Sequence, residues 1–234
     1  LWLDGNDSST ITHSSNYVSQ WSDKSGRGYN FTQSSTTNKP RTGNTLANGT
    51  NALNFDGSDF MHNIDIPING RHSIFVVASS DANGYRRILD IDEYLFIGNG
   101  NGNNNFASLY GSGSWNDTST NSPAQSLSKL SLISVTNDNT TATPYVNGVA
   151  QNTKNGQMSR EIGLFLGSER GTTQFWDGKI AEVIIFDATL SDTNRHAIEA
   201  HLAAKWGMFY DLPLDHPVHR SYLATAGEFD FEIN

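Results

Sequence analysis

The segment from Gly163 to Trp206 constrains the fold of this chain more than any other part of the sequence. It contains two apolar runs, 162–166 and 180–186, followed by an amphipathic pattern that ends at Lys205-Trp206-Gly207. The run Val183-Ile184-Ile185-Phe186 lacks clean polar alternation, which is typical of a central strand covered on both faces. The segment therefore predicts two strands of a sheet, closed by one covering helix.

The amphipathic pattern predicts a helix over about 191–206. Ser191 is placed to cap its N-terminus, and Asp192 lies where the helix dipole favours an anion. We expect Trp206 to pack against the sheet with the other apolar residues of the pattern, which are Ala197, Ile198 and Leu202. We expect the polar residues to take other faces, and these are Asn194, Arg195, Glu199 and Lys205.

Turn signals recur throughout the chain, and Asn-Gly and Asp-Gly dipeptides supply the positive φ angles that tight hairpins require. The clearest hairpin is Val146-Asn147-Gly148-Val149, with strands expected over 142–146 and 149–153. Further strands are predicted over 73–79, over 87–97 in two pieces, and over 130–136. The polar, low-complexity segment 98–105 is expected to be a mobile loop. This pattern predicts an all-β, two-sheet antiparallel sandwich.

Composition narrows the classes of function. A chain of 234 residues suits one domain, and its net charge of −9 with a pI near 5.1 argues against nucleic acid as a partner. Cysteine is absent, and no apolar run approaches the roughly 20 residues of a membrane helix. The chain begins Leu1-Trp2 without Met or a signal peptide, so we expect a mature or excised piece of a longer protein.

Several sequence motifs occur in the order that is typical of one protein family. They are 21–31 (WSDKSGRGYNF), 53–60 (LNFDGSDF), 145–148 (YVNG), 177–183 (DGKIAEV), 202–207 (LAAKWG) and the tail with Leu212-Pro213 and Asp215-His216-Pro217. Together they resemble the laminin-G-like, concanavalin-A-like lectin-glucanase jelly-roll domains of bacteria and phage. The resemblance implies a jelly-roll domain over 1–217, with 218–234 as a tail or a connection to a following segment.

The resemblance also implies a class of function. Such modules adhere to polysaccharide or protein within extracellular, cell-surface or virion proteins, and some hold a calcium ion at the rim. We therefore predict a non-catalytic module that binds carbohydrate or a protein partner, in one of those three locations and without membrane insertion. The alternative is a structural virion subunit of a phage tail or capsid decoration. Five Asn-x-Ser/Thr sequons, starting at Asn6, Asn30, Asn48, Asn116 and Asn139, leave glycosylation undecided.

Sugar recognition needs aromatic faces for stacking and polar groups that bind hydroxyls. The segment 109–117 supplies both, through Tyr110, Trp115, Asn116 and Asp117. Tyr85 and Trp176 are candidates to extend this surface. The alternative for Trp115 and Trp176 is that each packs under a loop at a strand edge.

Two sets of residues are candidates for binding a metal ion. A calcium ion would need converging oxygen ligands, and the candidates at turns or strand ends are Asp56, Asp59, Asp90, Asp92 and Asp177. Solvated turn aspartates are the plainer interpretation, since no EF-hand spacing is present. Among the histidines, His196 and His201 are five residues apart on the predicted helix and off a common face, while His216 and His219 follow in the tail.

One motif suggests catalysis. Glu228, Asp230 and Glu232 alternate in sequence, so a strand would place them on one face. The motif resembles the Glu-x-Asp-x-Glu of retaining β-glucanases built on this sandwich, and it defines a second alternative, a retaining glycoside hydrolase. In those enzymes the motif lies on an internal strand, whereas here only two residues follow it. An acidic strand or connection is the plainer interpretation.

Overall fold

The structure is a computed structural model that describes residues 1–43, 46–68, 70–91, 95–100, 106–110, 126–155 and 161–219. Within these residues the chain forms two antiparallel sheets packed as a sandwich, with a helix near the C-terminal end, as the sequence predicts. No helix in the described ranges has the length and apolar character that crossing a membrane requires.

The elements follow one another in short segments. The strands are β1 (Trp2–Asp4), β2 (Ile11–Ser14), β3 (Tyr17–Trp21), β4 (Phe31–Thr32), β5 (Leu46–Ala47), β6 (Thr50–Asn51), β7 (Leu53–Asp56), β8 (Met61–Ile68), β9 (Arg71–Ser80), β10 (Arg86–Ile91), β11 (Leu95–Asn99), β12 (Phe106–Tyr110), β13 (Ser131–Asp138), β14 (Thr141–Val146), β15 (Val149–Ala150), β16 (Lys154–Asn155), β17 (Glu161–Leu166) and β18 (Asp177–Phe186). The helix α1 spans Asp192–Lys205, and 3-10 turns lie at Ser8–Thr10 and Phe209–Asp211.

The strands pair into two large sheets. Sheet 1 has the order β1-β18-β9-β13-β14-β15, and β7 and β16 join it beside β18 and β14. Sheet 2 has the order β12-β11-β10-β17-β8-β4-β3-β2, while β5 and β6 form a separate small hairpin. Neighbours in sheet 2 are often distant in sequence, so its surface is assembled from separate parts of the chain.

The central strands of sheet 1 are buried on both faces. In β9, Ile74 and Val76 belong to the core between the sheets, whereas Phe75 and Val77 belong to a second apolar cluster under α1. Successive side chains of a strand point to opposite faces, so an uninterrupted apolar run is what a doubly covered strand requires. The prediction of central strands without polar alternation is confirmed.

The helix begins and ends close to the predicted residues. The Ser191 side chain accepts a hydrogen bond from the Asn194 backbone N–H, which caps the first turn. At the other end, Gly207 has φ +70°, and the Met208 N–H donates to the Ala203 carbonyl at 2.7 Å. Glycine adopts this left-handed conformation without strain, so Gly207 closes the helix in a Schellman-type cap.

The assignment of helix faces was correct for Trp206 and Leu202, which are fully buried, but wrong in two respects. Arg195 and Glu199 are buried, although both were expected to face away from the sheet, and Ala197 is exposed. The reason is that Arg195 Nη1 donates to both Glu199 oxygens, at 2.9 and 2.8 Å. A paired charge avoids much of the desolvation penalty that keeps a single charge at the surface.

A second correction concerns the segment 98–105, which was expected to be a loop. Gly98 and Asn99 are the last residues of β11, and 101–105 lie outside the described residues. The strand requires glycine at position 98, because a Cβ atom there would clash with the Arg86 carbonyl oxygen at 1.9 Å. The hairpin at Asn147-Gly148 is confirmed, with β14 paired to β15 across it. The expected boundary at 217 stays a prediction, because the described residues end at 219.

Candidate functional site

The two outer faces of the sandwich differ in what covers them. On sheet 1, α1 and the residues that follow it bury the second apolar cluster. On sheet 2, no helix of the described residues packs against the outer face. Within the described residues, the outer face of sheet 2 therefore has no covering helix, and the loop 167–175 lies over its β10 side.

Cross-strand pairing aligns the side chains of sheet 2 in rows. Two buried apolar rows are Ile11, Trp21 and Phe31 in one half of the sheet, and Met61, Leu166, Leu89 and Ile97 in the other. The row that passes between them, one residue along each strand, is Thr12, Gln20, Thr32, His62, Phe165 and Asp90. Because side chains alternate between faces, this middle row lies on the outer face, and we call it the outer row.

Aromatic rings gather around the middle of the outer row. His62 stacks on Phe165 with ring centroids 5.6 Å apart and planes 18° from parallel. Phe60 lies 6.0 Å from His62, 6.4 Å from Phe165 and 6.3 Å from Phe175. All four side chains are half-buried, so each leaves part of its ring at the surface. We call these four residues the aromatic patch.

A buried guanidinium lies beside the aromatic patch. Arg87 forms an ion pair with Asp90 through Nη1 and with Glu169 through Nη2, the latter at 2.8 Å. Its Nε–H donates to Gln174 Oε1 at 2.9 Å. Glu169 and Gln174 come from the loop between β17 and β18, so Arg87 ties that loop to β10. The arrangement gives the outer face a fixed group of polar atoms next to its aromatic rings.

Asp90 has one oxygen atom unused. Its side chain is fully buried, and Oδ2 has no hydrogen-bond partner among the described residues. Burial raises the pKa of this carboxyl, and the neighbouring Glu169 raises it further, while Arg87 acts in the opposite direction. The Arg170 backbone N–H, in the loop 167–175, also lowers this pKa. A buried acceptor without a donor is costly, and because Arg87 and this loop enclose Asp90, a ligand reaches Oδ2 only when the loop moves.

Of the predicted glycan-binding residues, the structure describes the backbone positions of Tyr85, Tyr110 and Trp176. Tyr85 precedes β10 and is 38% exposed, which leaves part of its ring available. Tyr110 ends β12, where it pairs with Leu95, whereas Tyr85 lies near the other end of β11. Trp115, Asn116 and Asp117 lie outside the described residues, so their role stays a prediction.

Trp176 is corrected by the structure. Its side chain has no exposed surface and belongs to the core between the sheets. The backbone N–H of Trp176 donates to Gly167 O, and the Gly57 N–H donates to Trp176 O, so two neighbouring segments hold it inside. Its position matches the packing alternative, and its ring is not available for stacking on a sugar.

The aspartates that are candidates for calcium lie in two places, with Asp56, Asp59 and Asp177 near one another and Asp90 apart from them. Asp90 belongs to the Arg87 network, Asp92 lies outside the described residues, and Asp56 faces Asp177 across β7 and β18. Asp59 is buried, which raises the pKa of its carboxyl to about 7, and it accepts a hydrogen bond from the Asp56 N–H. None of these aspartates belongs to a group of three converging ligands within the described ranges.

The histidine cluster differs from the one weighed in the sequence. His196, Glu199 and His216 place ligand atoms within 4.8 Å of one another, so the partner of His196 is His216 and not His201. An Arg195 guanidinium N–H donates to His196 Nε2 at 2.7 Å and opposes a cation there. The Val218 N–H donates to His216 Nδ1, which leaves Nε2–H to donate to Glu199. Both oxygens of Glu199 are thus engaged by Arg195, and one of them also by His216.

Sequence reasoning missed the outer row for an identifiable reason. Its members come from β2, β3, β4, β8, β10 and β17, and only pairing between distant strands aligns them. A local signal exists at three positions, where Gln20, Thr32 and His62 each adjoin a large buried residue. Such alternation indicates an outward side chain but not its neighbours.

Solved structures with the same architecture include sugar-processing enzymes and binding domains. An arabinofuranosidase complexed with arabinofuranosyl-α-1,2-xylobiose is 14% identical, with a TM-score of 0.58 over 80% of this chain and 51% of that chain. Domain 4 of an extracellular arabinanase from Geobacillus stearothermophilus, in complex with arabinotriose, is 12% identical, with a TM-score of 0.52 over 82% of this chain and 93% of that domain. The botulinum neurotoxin serotype G binding domain is 14% identical, with a TM-score of 0.56 over 87% and 51%.

These identities establish the fold alone, and the chain spans about half the length of the arabinofuranosidase and the neurotoxin domain. A search of curated proteins finds no match. The sequence profile described as "Concanavalin A-like lectin/glucanases superfamily" matches residues 64–194, which is more than half of the chain. With this match and the two-sheet sandwich together, the chain belongs to the concanavalin A-like lectin/glucanases superfamily.

Proposed function

We propose that this chain is a non-catalytic carbohydrate-binding module whose ligand lies on the outer face of sheet 2. The observation that carries the proposal is the outer row, which places polar and aromatic side chains side by side on the sheet face that α1 does not cover. We propose in addition that the module serves a larger extracellular, cell-surface or virion protein. The extracellular arabinanase to which the similar domain 4 belongs supports that location.

The chemistry of the outer face suits a sugar. A pyranose or furanose ring has an apolar face that packs on an aromatic ring, and its hydroxyls need donors and acceptors around the rim. Phe165 and His62 supply the aromatic surface, and Gln20 and Thr32 supply an amide and a hydroxyl. Asp90 has no exposed surface, so its Oδ2 supplies an acceptor for a sugar hydroxyl only when the loop 167–175 moves aside.

The structural neighbours support the same ligand class. Two of the three carry a saccharide in the solved structure, and one of these, with arabinotriose, is a single domain that this chain spans almost completely.

The arrangement of carboxylates favours binding over hydrolysis. Glycoside hydrolysis requires one carboxyl group as proton donor and a second as nucleophile or base. On the outer face, Asp90 and Glu169 share one guanidinium, that of Arg87. The hydrolase alternative rests on Glu228, Asp230 and Glu232, which lie outside the described residues.

A glycan array tests the proposal. The wild-type chain is applied to neutral and acidic oligosaccharides, together with Phe165→Ala and the milder Thr32→Ala at an exposed position of β4. We expect Phe165→Ala to weaken retention of the bound glycan at least tenfold, because it removes the centre of the stacking surface, and Thr32→Ala to weaken it by less.

Tyr210→Ala provides the matched control. Tyr210 is an aromatic side chain with 88% exposure, and it lies in the segment after α1. Equal retention by wild type and Phe165→Ala, with the variant folded, would exclude the outer face as the binding site. Absence of any retained glycan would refute carbohydrate binding, and release of reducing sugar would refute the non-catalytic assignment.

A further inference from the structure

We infer that a groove at the β2–β3 edge of sheet 2 binds an anionic sugar residue, one that carries a carboxylate or a sulfate. The groove is lined by Ser14, Ser15, Tyr17, Ser19, Thr36 and Lys39, and Arg41 packs on Tyr17 beside it. We call it the Tyr17 groove. The inference rests on the proposed function, because it assigns a charge to the ligand that the outer face takes.

The groove continues the outer row toward the edge of the sheet. Ser14 pairs with Tyr17 two residues along β2 from Thr12, the outer-row residue that pairs with Gln20, and a register shift between Thr12 and His13 places one extra residue on β3. Two residues along a strand correspond to about 7 Å, which is close to the length of one or two sugar units. The groove has a volume of about 500 Å³. A chain of sugars on the outer row would therefore reach Tyr17.

The backbone around the groove is held in place. Ser15 and Asn16 have φ of 48° and 69°, as in the tight two-residue turns that join antiparallel strands. The Thr42 N–H donates to Asn16 O, and the Val18 N–H donates to Pro40 O, so the segment 40–42 is fixed beside β3. Arg41 exchanges backbone hydrogen bonds with Asn54, which anchors it on the other side.

Arg41 and Tyr17 form a preorganised pair. The Arg41 guanidinium carbon lies 4.7 Å from the centroid of the Tyr17 ring, and Arg41 Nη2 donates to the Tyr17 hydroxyl at 2.7 Å. Tyr17 keeps 38% of its surface exposed. A guanidinium has five N–H groups, so most of its donors stay available to a planar anion.

The groove is positively charged, whereas the chain as a whole carries a net negative charge. In an acidic protein of net charge −9, the cations Lys24, Lys179 and Lys205 pair with carboxylates. Lys39 and Arg41 have no carboxylate within ion-pair distance among the described residues. Two unpaired cations beside a tyrosine and several hydroxyls fit a sugar ring that carries a negative group.

Polygalacturonate and its highly methyl-esterified form test the inference, because they share one backbone and differ in charge. We expect the wild-type chain to bind polygalacturonate at least tenfold more tightly, with the difference shrinking as salt is raised. The second arm compares dextran sulfate with dextran. If the chain prefers the acidic polymer in this comparison alone, the anion that it binds is a sulfate. Affinity electrophoresis and calorimetry measure both pairs.

Arg41→Gln and Lys39→Gln are the test variants, and Arg27→Gln is the control, since it removes one exposed positive charge outside the groove. We expect the first two to remove most of the preference for the acidic polymer and the control to keep it. The inference is overturned if neither acidic polymer is preferred, or if Arg41→Gln and Lys39→Gln, shown folded by circular dichroism, keep the preference. Loss of glycan retention by Phe165→Ala would then still support the proposed function. Failure of the anionic-sugar inference is therefore distinguishable from failure of the proposed function.

Discussion

The two outer faces of the sandwich each bury an arginine with a carboxylate, and they differ in whether the polar groups are satisfied. Over sheet 1, Glu199 of α1 accepts hydrogen bonds from Ser134 of β13, from Arg195 and from His216. On sheet 2, Asp90 pairs with Arg87 but leaves Oδ2 without a partner among the described residues. A complete network stabilises the fold, whereas an incomplete one leaves an acceptor for an external donor.

The difference follows from what lies above each face. α1 and the following segment supply Arg195 and His216 to Glu199 and exclude water from it. Above sheet 2, the loop 167–175 supplies Glu169 and Gln174 to Arg87, but it leaves one oxygen of Asp90 unpaired. A buried ion pair by itself therefore does not distinguish a structural site from a binding site.

Trp206→Ala has the largest expected effect and tests whether α1 closes sheet 1. The Trp206 ring is fully buried, and its Nε1–H donates to Glu182 Oε2 at 2.6 Å. Removal of a buried tryptophan typically costs about 3–5 kcal/mol in the free energy of unfolding, through lost burial and the cavity left behind. Urea unfolding measures it, with Tyr210→Ala as the exposed control. An unchanged midpoint would contradict the packing of α1 on sheet 1.

The sequence predicted this face of the fold well, because its signal is local. The cap at Ser191, the period of Leu202 and Trp206, and Gly207 after the last turn all lie within one short segment. It failed at Arg195 and Glu199, since the partners that allow them to be buried, Ser134 and His216, come from elsewhere in the chain. Periodicity counts apolar residues and does not detect a buried ion pair.

The face of sheet 2 was harder to predict for a related reason. Its aromatic patch combines Phe60 and His62 with Phe165 and Phe175, about a hundred residues later in the chain. The sequence indicates that these segments are strands and turns, but the register between them depends on the whole sheet. Trp176 shows the converse error, because an aromatic residue beside a turn was assigned to the surface and is buried in the core.

Glu199→Gln has the next largest expected effect and tests the satisfied network. The substitution keeps the shape of the side chain but leaves the buried Arg195 with only the exposed Asp192, 3.2 Å away, as a counter-ion. Breaking a buried pair in this way costs about 3 kcal/mol. We expect a lower urea midpoint with an unchanged denaturant slope, and glycan retention equal to that of the wild type under conditions where the variant is folded. Retention lost in the folded variant would contradict a purely structural role for this network.

Asp90→Asn is the matched substitution on the other face, and it has the smallest expected effect on stability. Arg87 keeps its ion pair with Glu169 and its hydrogen bond to Gln174, so no unpaired charge is created. The buried carboxylate that is removed already carries an unpaired oxygen, and burial already raises its pKa. We therefore expect the free energy of unfolding to change by less than about 1 kcal/mol.

Asp90→Asn should weaken glycan binding markedly, although it changes the free energy of unfolding little. If Asp90 Oδ2 receives a hydrogen bond from a sugar hydroxyl, replacing a charged acceptor by an amide weakens binding by about tenfold, which corresponds to one charge-assisted hydrogen bond. Calorimetry with the glycan that the array identifies measures this change. A stability loss as large as that of Glu199→Gln, with unchanged affinity, would show that both networks serve the fold and would remove the distinction between the two faces.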